Sequence, residues 1–243
     1  MNRVACADCP LRKRKLFIPM TGEEVAFMQT FKSGELTVDP GTKILMEGSS
    51  SPHLFTVLKG MGIRYKTLEN GRRQVINFLF PGDFTGLQAG LMGEMKHSVA
   101  ATTPMTLCVF KRDDIWNLFR NHPSRAYDLT WIAAVEEHFL GETIATLGQR
   151  DASQRIAWAL VRIHERLRAL GLGTVDGVPL PFRQQDLADA LGLSVVHTNK
   201  TLKVLREKRL ARWSDGELRI PDLGALAALA MIDLERPEKR PLM

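Results

Sequence analysis

The sequence predicts an α+β chain in which the strands come first and the long helices follow. Three observations carry that prediction. Between residues 34 and 110, short alternating runs are punctuated by glycine, the pattern of an antiparallel sandwich or barrel. After Pro123 the apolar period lengthens to that of a long helix. Residues 183–209 then read as two short helices around a glycine corner, trailed by an Asp-Gly hairpin.

Taken in order, residues 1–20 are irregular and carry the basic run Arg12-Lys13-Arg14-Lys15. Residues 21–31 suit a short helix, with Thr21 as cap and Glu23 and Glu24 in its positive first turn. Strands are expected over 42–45, 53–58, 61–66, 73–78, 98–101 and 105–110, with Asn70-Gly71 at a hairpin tip. Residues 113–118 read as a short helix. In the long helix, Leu129, Ile132, Val135 and Phe139 share a narrow stripe that Thr143 and Thr146 continue more weakly. Such a stripe suits a two-stranded coiled coil, and these residues are the expected dimer seam. The chain breaks at 148–151, resumes as a helix over 152–170 with Ile156, Leu160 and Ile163 inward, and loops over 171–181. A last helix spans 223–234, and the charged tail beyond it is expected to be disordered. The segmentation is 1–20, 21–122, 123–149 and 150–243.

In the paired helices, Leu187, Ala188 and Leu191 face inward, Gly192 turns the corner and Ser194 caps the second helix. Thr198, Leu202 and Leu205 form its inner side; Val196, Asn199, Lys200 and Lys203 form the opposite face. That outer face suits a DNA major groove. Asn pairs bidentately with adenine, Lys reaches guanine or phosphate, and a valine methyl meets the thymine methyl. Val195 or Val196 is therefore expected on a thymine, Asn199 or Lys200 on a purine, and His197 on a base or phosphate. Arg183, Lys203 and Arg212 are expected on phosphates. The hairpin, 211–213 and 217–220 around Asp215-Gly216, is a wing.

The 243 residues carry a net charge of +6, which permits a polyanionic partner. Residues 181–220 hold eight Lys/Arg against five Asp/Glu. No apolar run is long enough to cross a membrane, and the N-terminus lacks a signal-peptide core, so a cytoplasmic protein is expected. No P-loop, nucleophile elbow, HExxH or paired-carboxylate motif occurs, and the six histidines are scattered. An enzyme is not expected.

The order of elements, with Pro81-Gly82-Asp83-Phe84 and residues 187–194 (LADALGLS), resembles the CRP/FNR family of bacterial transcription regulators over nearly the whole chain. The resemblance implies a β-roll of the cyclic-nucleotide-binding type (a double-stranded β-helix), a dimerisation helix and a winged helix-turn-helix. It also implies a homodimer on a near-palindromic double-stranded DNA site that contacts RNA polymerase. Where cyclic-AMP members carry a glutamate for the ribose and an arginine for the phosphate, this chain has Leu87 and His97. Leucine accepts no ribose hydroxyl, and a largely neutral imidazole replaces a guanidinium poorly, so cyclic AMP is not expected. A different small ligand near Phe78, Leu87 and His97 is the alternative. Early in the second helix the family carries glutamate and, four residues on, arginine. Val196 and Lys200 stand in those places, so the half-site should differ from the usual one.

FNR members hold a [4Fe–4S] cluster with an N-terminal cysteine group and one cysteine in the roll. Cys6 and Cys9, a CxxC, resemble part of that group and Cys108 resembles the roll cysteine. A further N-terminal cysteine is missing; Lys15 and Phe17 stand near its place. Three thiolates suit a [3Fe–4S] cluster, or a [4Fe–4S] cluster with Asp8 or His97 as fourth ligand. A zinc half-site, a thiol switch and a cofactor-free protein with Cys108 packed in a strand remain alternatives.

Overall fold

A computed structural model describes residues 3–174, 177–234 and 238–243. The chain divides into two units. The first takes the residues up to Lys66, Ile76–Glu137 and Lys239–Met243; the second takes Thr67–Val75 and His138–Glu238.

The first unit opens with two 3₁₀ turns, Cys6–Asp8 and Pro10–Lys13. Helix α1 (Gly22–Phe31) follows, and Thr21 and Glu24 cap it reciprocally. Then come β1 (Lys32–Val38), β2 (Lys43–Leu45), β3 (His53–Lys59), β4 (Gly62–Thr67), β5 (Arg73–Leu79) and β6 (Phe84–Thr85). Helix α2 (Leu87–Met92), β7 (Ser98–Ala101), β8 (Met105–Lys111), α3 (Ile115–Asn121) and α4 (Pro123–Gln149) complete the run. The sequence reading missed β1, β6 and α2. β1 holds Ser33, Gly34 and Glu35 instead of an alternating apolar run, and the other two are too short to show a period. One sheet has the order β1-β8-β3-β6 and the other β2-β7-β4-β5. Between them Leu45, Phe55, Val57, Leu79, Met95, Val99, Met105 and Leu107 form one core. This is the antiparallel roll.

Strand periodicity gives the first sheet a second apolar face. Leu54, Phe84 and Phe110 point away from the roll interior and pack with Met28 and Phe31 of α1, Ile115 and Leu118 of α3, and Ala126, Leu129 and Ile132 of α4. Two expectations fail on this face. Leu129 and Ile132 are 2% and 3% exposed within the subunit's own core, so they are not free for a partner helix. Farther along α4, Phe139 stacks on Trp158 with ring centroids 5.9 Å apart, and the Thr143 hydroxyl donates to the Phe139 carbonyl at 2.8 Å. Val135 is half-buried and Thr146 is buried. A narrow stripe looks the same in sequence whether a second helix or the chain's own sheet covers it. The other failure is the tail. Residues 235–237 lie outside the described ones, but Arg240, Leu242 and Met243 are buried in the first unit. They are not disordered.

The fully exposed stripe of α4 is a different one. Tyr127, Thr130, Ala134, Glu137, Gly141, Ile144 and Gly148 alternate at spacings of three and four and are all exposed, with Tyr127 and Ile144 each at 71%.

In the second unit, α5 (Ala152–Ala169) is capped reciprocally by Asp151 and Gln154. It buries Ile156, Leu160 and Ile163 as its pattern requires. β9 (Val178–Pro179), α6 (Gln184–Leu191), α7 (Val195–Glu207), β10 (Arg212–Ser214), β11 (Glu217–Arg219) and α8 (Leu223–Ala230) follow. The wing is three-stranded, in the order β10-β11-β9; β9 lies in a stretch expected to be loop. Among the described residues no helix is long and apolar enough to cross a membrane.

Burial perturbs a histidine of the roll. Arg64 of β4 is buried; it donates to Glu136 of α4 at 2.6 Å and to the Phe84 carbonyl at 2.6 Å. His97, just before β7, has a buried Nε2 without a partner. Burial, then the Arg64 and Lys66 charges, hold its ring down to about 4 against a pull from Glu47. The unfolded chain takes up this proton near 6.5, so the neutral ring's stability is fully present above that pH and is lost as pH falls toward 4. His97→Gln is expected to flatten the fall in urea-unfolding free energy between pH 6.5 and 4 relative to the parent. An unchanged slope would remove His97 as its source.

Candidate nucleic-acid interface and thiol site

Each helix of the reading head is positioned by an identifiable contact. Leu187, Ala188 and Leu191 are buried beneath α6. Gly192 ends that helix at φ 64°, a left-handed conformation that favours glycine. Arg155 of α5 donates to the Leu191 carbonyl at 3.2 Å, closing the helix end. The Ser194 hydroxyl accepts the His197 backbone N–H at 3.1 Å and starts α7. Thr198 and Leu205 are buried and Leu202 is half-buried, so the opposite face is presented outward.

On that face Val196 is 60% exposed. His197, Asn199, Lys200 and Lys203 are exposed and Val195 is half-exposed. Lys203 is 3.8 Å from Glu207, a pairing that water screens. Arg183, at the start of α6, has a 73% exposed side chain whose guanidinium is 3.3 Å from Asp186. Arg212 is exposed on β10 and donates to the Ser214 hydroxyl at 3.2 Å. The wing turns through Asp215 and Gly216 at φ 53° and 73°, the geometry an Asp-Gly tip favours. The Trp213 indole N–H donates to the Leu180 carbonyl at 3.0 Å and pins the wing to its unit.

One functional residue escaped the sequence reading. Arg73, near the β4–β5 hairpin tip, belongs to this unit. Its guanidinium donates to Asp186 at 2.6 Å and to Asp189 at 2.8 Å. Gln74 adds a bond to the Ala190 carbonyl at 3.0 Å. Asp186 is 1% exposed, and a carboxylate so buried requires a charged partner. The fork neutralises two acids on a helix that would otherwise repel phosphate. No local signal marks Arg73, because its partners lie more than a hundred residues away in sequence.

The cysteines are gathered in the first unit. Cys108 lies on the outer face of β8, in register with Glu35 of β1 on one side and Thr56 of β3 on the other. Cys6 packs against the same apolar cluster. The Cys6 backbone N–H donates to Gln29 at 2.7 Å, and Arg12 holds the Cys6 and Ala7 carbonyls. Burial pushes the Cys108 thiol up to about 12, Lys32 opposes this, and Cys9, Glu35 and Cys6 add to it. Burial also raises the Cys6 thiol, again against Lys32. Cys6 and Cys108 both feel Lys32, and Cys9 acts on each of them; the Lys32 ammonium bonds Glu35 at 2.5 Å and the Val4 carbonyl at 2.7 Å.

A cluster requires thiolates in ligating array. Among the described residues no three His, Cys, Asp or Glu are arranged to hold a metal ion. His97 interacts with Arg64, Glu47 and Lys66 instead of the cysteines, and Asp8 points to solvent at the end of its 3₁₀ turn. The set as folded does not fit an iron–sulfur cluster.

Residues 35–122 match the cyclic nucleotide-binding domain family and residues 154–229 match the Crp-like helix-turn-helix domain family. The chain is 31% identical to the transcriptional activatory protein AadR of Rhodopseudomonas palustris over 79% of each chain. It is 28% identical to the nitrogen fixation regulation protein FixK of Bradyrhizobium diazoefficiens over 93% of each. The structure of FixK2 from Bradyrhizobium japonicum superimposes with a TM-score of 0.74 at 22% identity, covering 83% of this chain and 98% of that one; it supports the fold. A β-roll followed by a winged helix-turn-helix that presents a basic, valine-edged helix, together with a relative of this identity along most of the chain, has one reading: the protein belongs to the CRP/FNR family of DNA-binding transcription regulators and is not an enzyme.

Proposed function

We propose that the protein is a cytoplasmic, homodimeric regulator that reads a near-palindromic operator through α7, contacts RNA polymerase, and answers to redox state through its three thiols. The observation that carries the DNA reading is the outward face of α7, where Val196, Asn199 and Lys200 stand exposed on a capped helix. Val195 or Val196 meets a thymine methyl, Asn199 or Lys200 reads a purine, and His197 contacts a base or a phosphate. Arg183, Lys203 and Arg212 hold phosphates, and the Ser194 cap sets where the helix begins.

Selection from a random duplex library should return a half-site that Lys200→Ala alters at one position. Lys203→Ala should weaken all sequences alike and lower the slope of log K against log salt by about 0.9. A Lys200→Ala protein that selects the same site would remove this assignment.

The exposed stripe of α4, not the buried one, supports the dimer. Small residues at Ala134, Gly141 and Gly148 allow close helix approach, and Tyr127 and Ile144 are its large apolar members. Ile144→Asp is expected to sediment as a monomer at micromolar concentration and to keep the helical circular dichroism of the parent. A dimeric Ile144→Asp protein would remove the seam.

The redox reading rests on three cysteines in one neighbourhood, and it is placed on the thiols because they do not fit a cluster. The roll is read as a scaffold without a cyclic nucleotide: Leu87 and the neutral His97 offer no ribose acceptor or phosphate cation, and Glu136 already takes the Arg64 charge. Protein purified without oxygen is expected to carry no stoichiometric iron or sulfide, and Cys6→Ser and Cys108→Ser should blunt the effect of diamide on operator binding. Iron and sulfide in stoichiometric amounts, lost in Cys108→Ser, would overturn the thiol assignment.

A further inference from the structure

The last residues of the chain return to the sensor unit and are held like a bound peptide. The main chain of Arg240 lies parallel to residues 16–18: its N–H donates to the Leu16 carbonyl at 2.9 Å and its carbonyl accepts from Ile18 at 2.9 Å. Its guanidinium is 3.1 Å from Asp83, in the Pro-Gly-Asp-Phe turn, with both side chains at least nine-tenths buried. Arg125 of α4 donates to the Leu242 carbonyl at 2.5 Å, and the Thr56 hydroxyl donates to the Met243 oxygen at 2.6 Å. The Met243 side chain enters the apolar cluster on the outer sheet face. Strand pairing, one buried ion pair and an apolar anchor are the means by which a groove selects an extended peptide.

The position of this groove links it to the thiols. Thr56 is the cross-strand partner of Cys108, so the residue that seats Met243 is the immediate neighbour of this half-buried cysteine. Residues 16–18, which pair with the tail, continue the segment that begins at Cys6 and Cys9.

We infer that the sensor unit carries a peptide-binding groove, formed by Leu16, Ile18, Thr56, Asp83 and Arg125, whose ligand is the chain's own Arg240–Met243 segment and whose occupancy closes access to Cys108. A ligand carried on the same chain binds at a high effective concentration, so the groove is filled in the intact protein. The inference does not require the redox reading. Peptide binding and thiol access are read separately from operator binding.

The test uses the full chain and a version lacking residues 238–243, with a fluorescein-labelled peptide of the sequence Glu-Lys-Arg-Pro-Leu-Met. The shortened protein should raise the anisotropy of the peptide saturably, and the intact protein should not, because its own segment occupies the groove. A peptide carrying Arg240→Glu should bind about tenfold more weakly or worse, since it sets a carboxylate against Asp83. Labelling of Cys108 by a maleimide should be several-fold faster in the shortened protein and slow again when peptide is added. Should the shortened protein not fold, full-length Arg240→Glu, which leaves the roll sequence intact, should bind the parent peptide. No binding to either folded variant, or equal binding to the intact chain, would overturn the groove. Unchanged Cys108 labelling would overturn its link to the thiol.

Discussion

A sheet with two apolar faces needs two covers, and that constraint organises the sensor unit. The inner face of β1-β8-β3-β6 is covered by the opposing sheet of the roll. Its outer face, with Leu54, Phe84 and Phe110, would leave a large apolar area in water. Helices α1, α3 and α4, the N-terminal segment and Met243 all converge there. The direction of Leu129 and Ile132, the burial of Cys108 and the seat of the tail are consequences of that one surface being closed. Since α4 gives its most apolar stripe to this task, the face it leaves exposed is the one with small residues, Tyr127 and Ile144.

The same burial governs the thiol chemistry. Outward on a covered strand, Cys108 is half-buried and its thiol is pushed up by that burial, while Lys32, the cation that could favour a thiolate, is engaged by Glu35 and the Val4 carbonyl. Reactivity at this sulfur therefore depends on what covers it. The apolar cluster it packs against includes residues of α1, α3 and α4 together with Met243, and Cys6 packs against the same cluster.

In the reading head the constraint is electrostatic. A helix-turn-helix that approaches phosphate cannot carry bare carboxylates on α6, yet Asp186 and Asp189 are both there. Arg73 resolves this with one planar fork across two acids. Arg155 performs the parallel service for the helix end by taking the Leu191 carbonyl. With α6 held in this way, α7 presents exposed polar and valine side chains outward.

What could be read from the residues alone is what local rules decide. The glycine corner at Gly192, the cap at Ser194, the Asp-Gly wing tip and the inner faces of α5 to α7 follow from backbone preference and helical period over a few residues. Six strands of the roll showed themselves by alternation. Other features were hidden because they depend on partners distant in the chain. Periodicity shows that Leu129 and Ile132 share a face but not what covers it. A charged tail contains no mark that its arginine will meet Asp83, and His97 looked available to a metal until its neighbours proved to be Arg64, Lys66 and Glu47. Local sequence determines which side of an element is apolar or capped; only the packing of remote segments determines what that side meets, because burial and charge pairing are properties of the assembled surface.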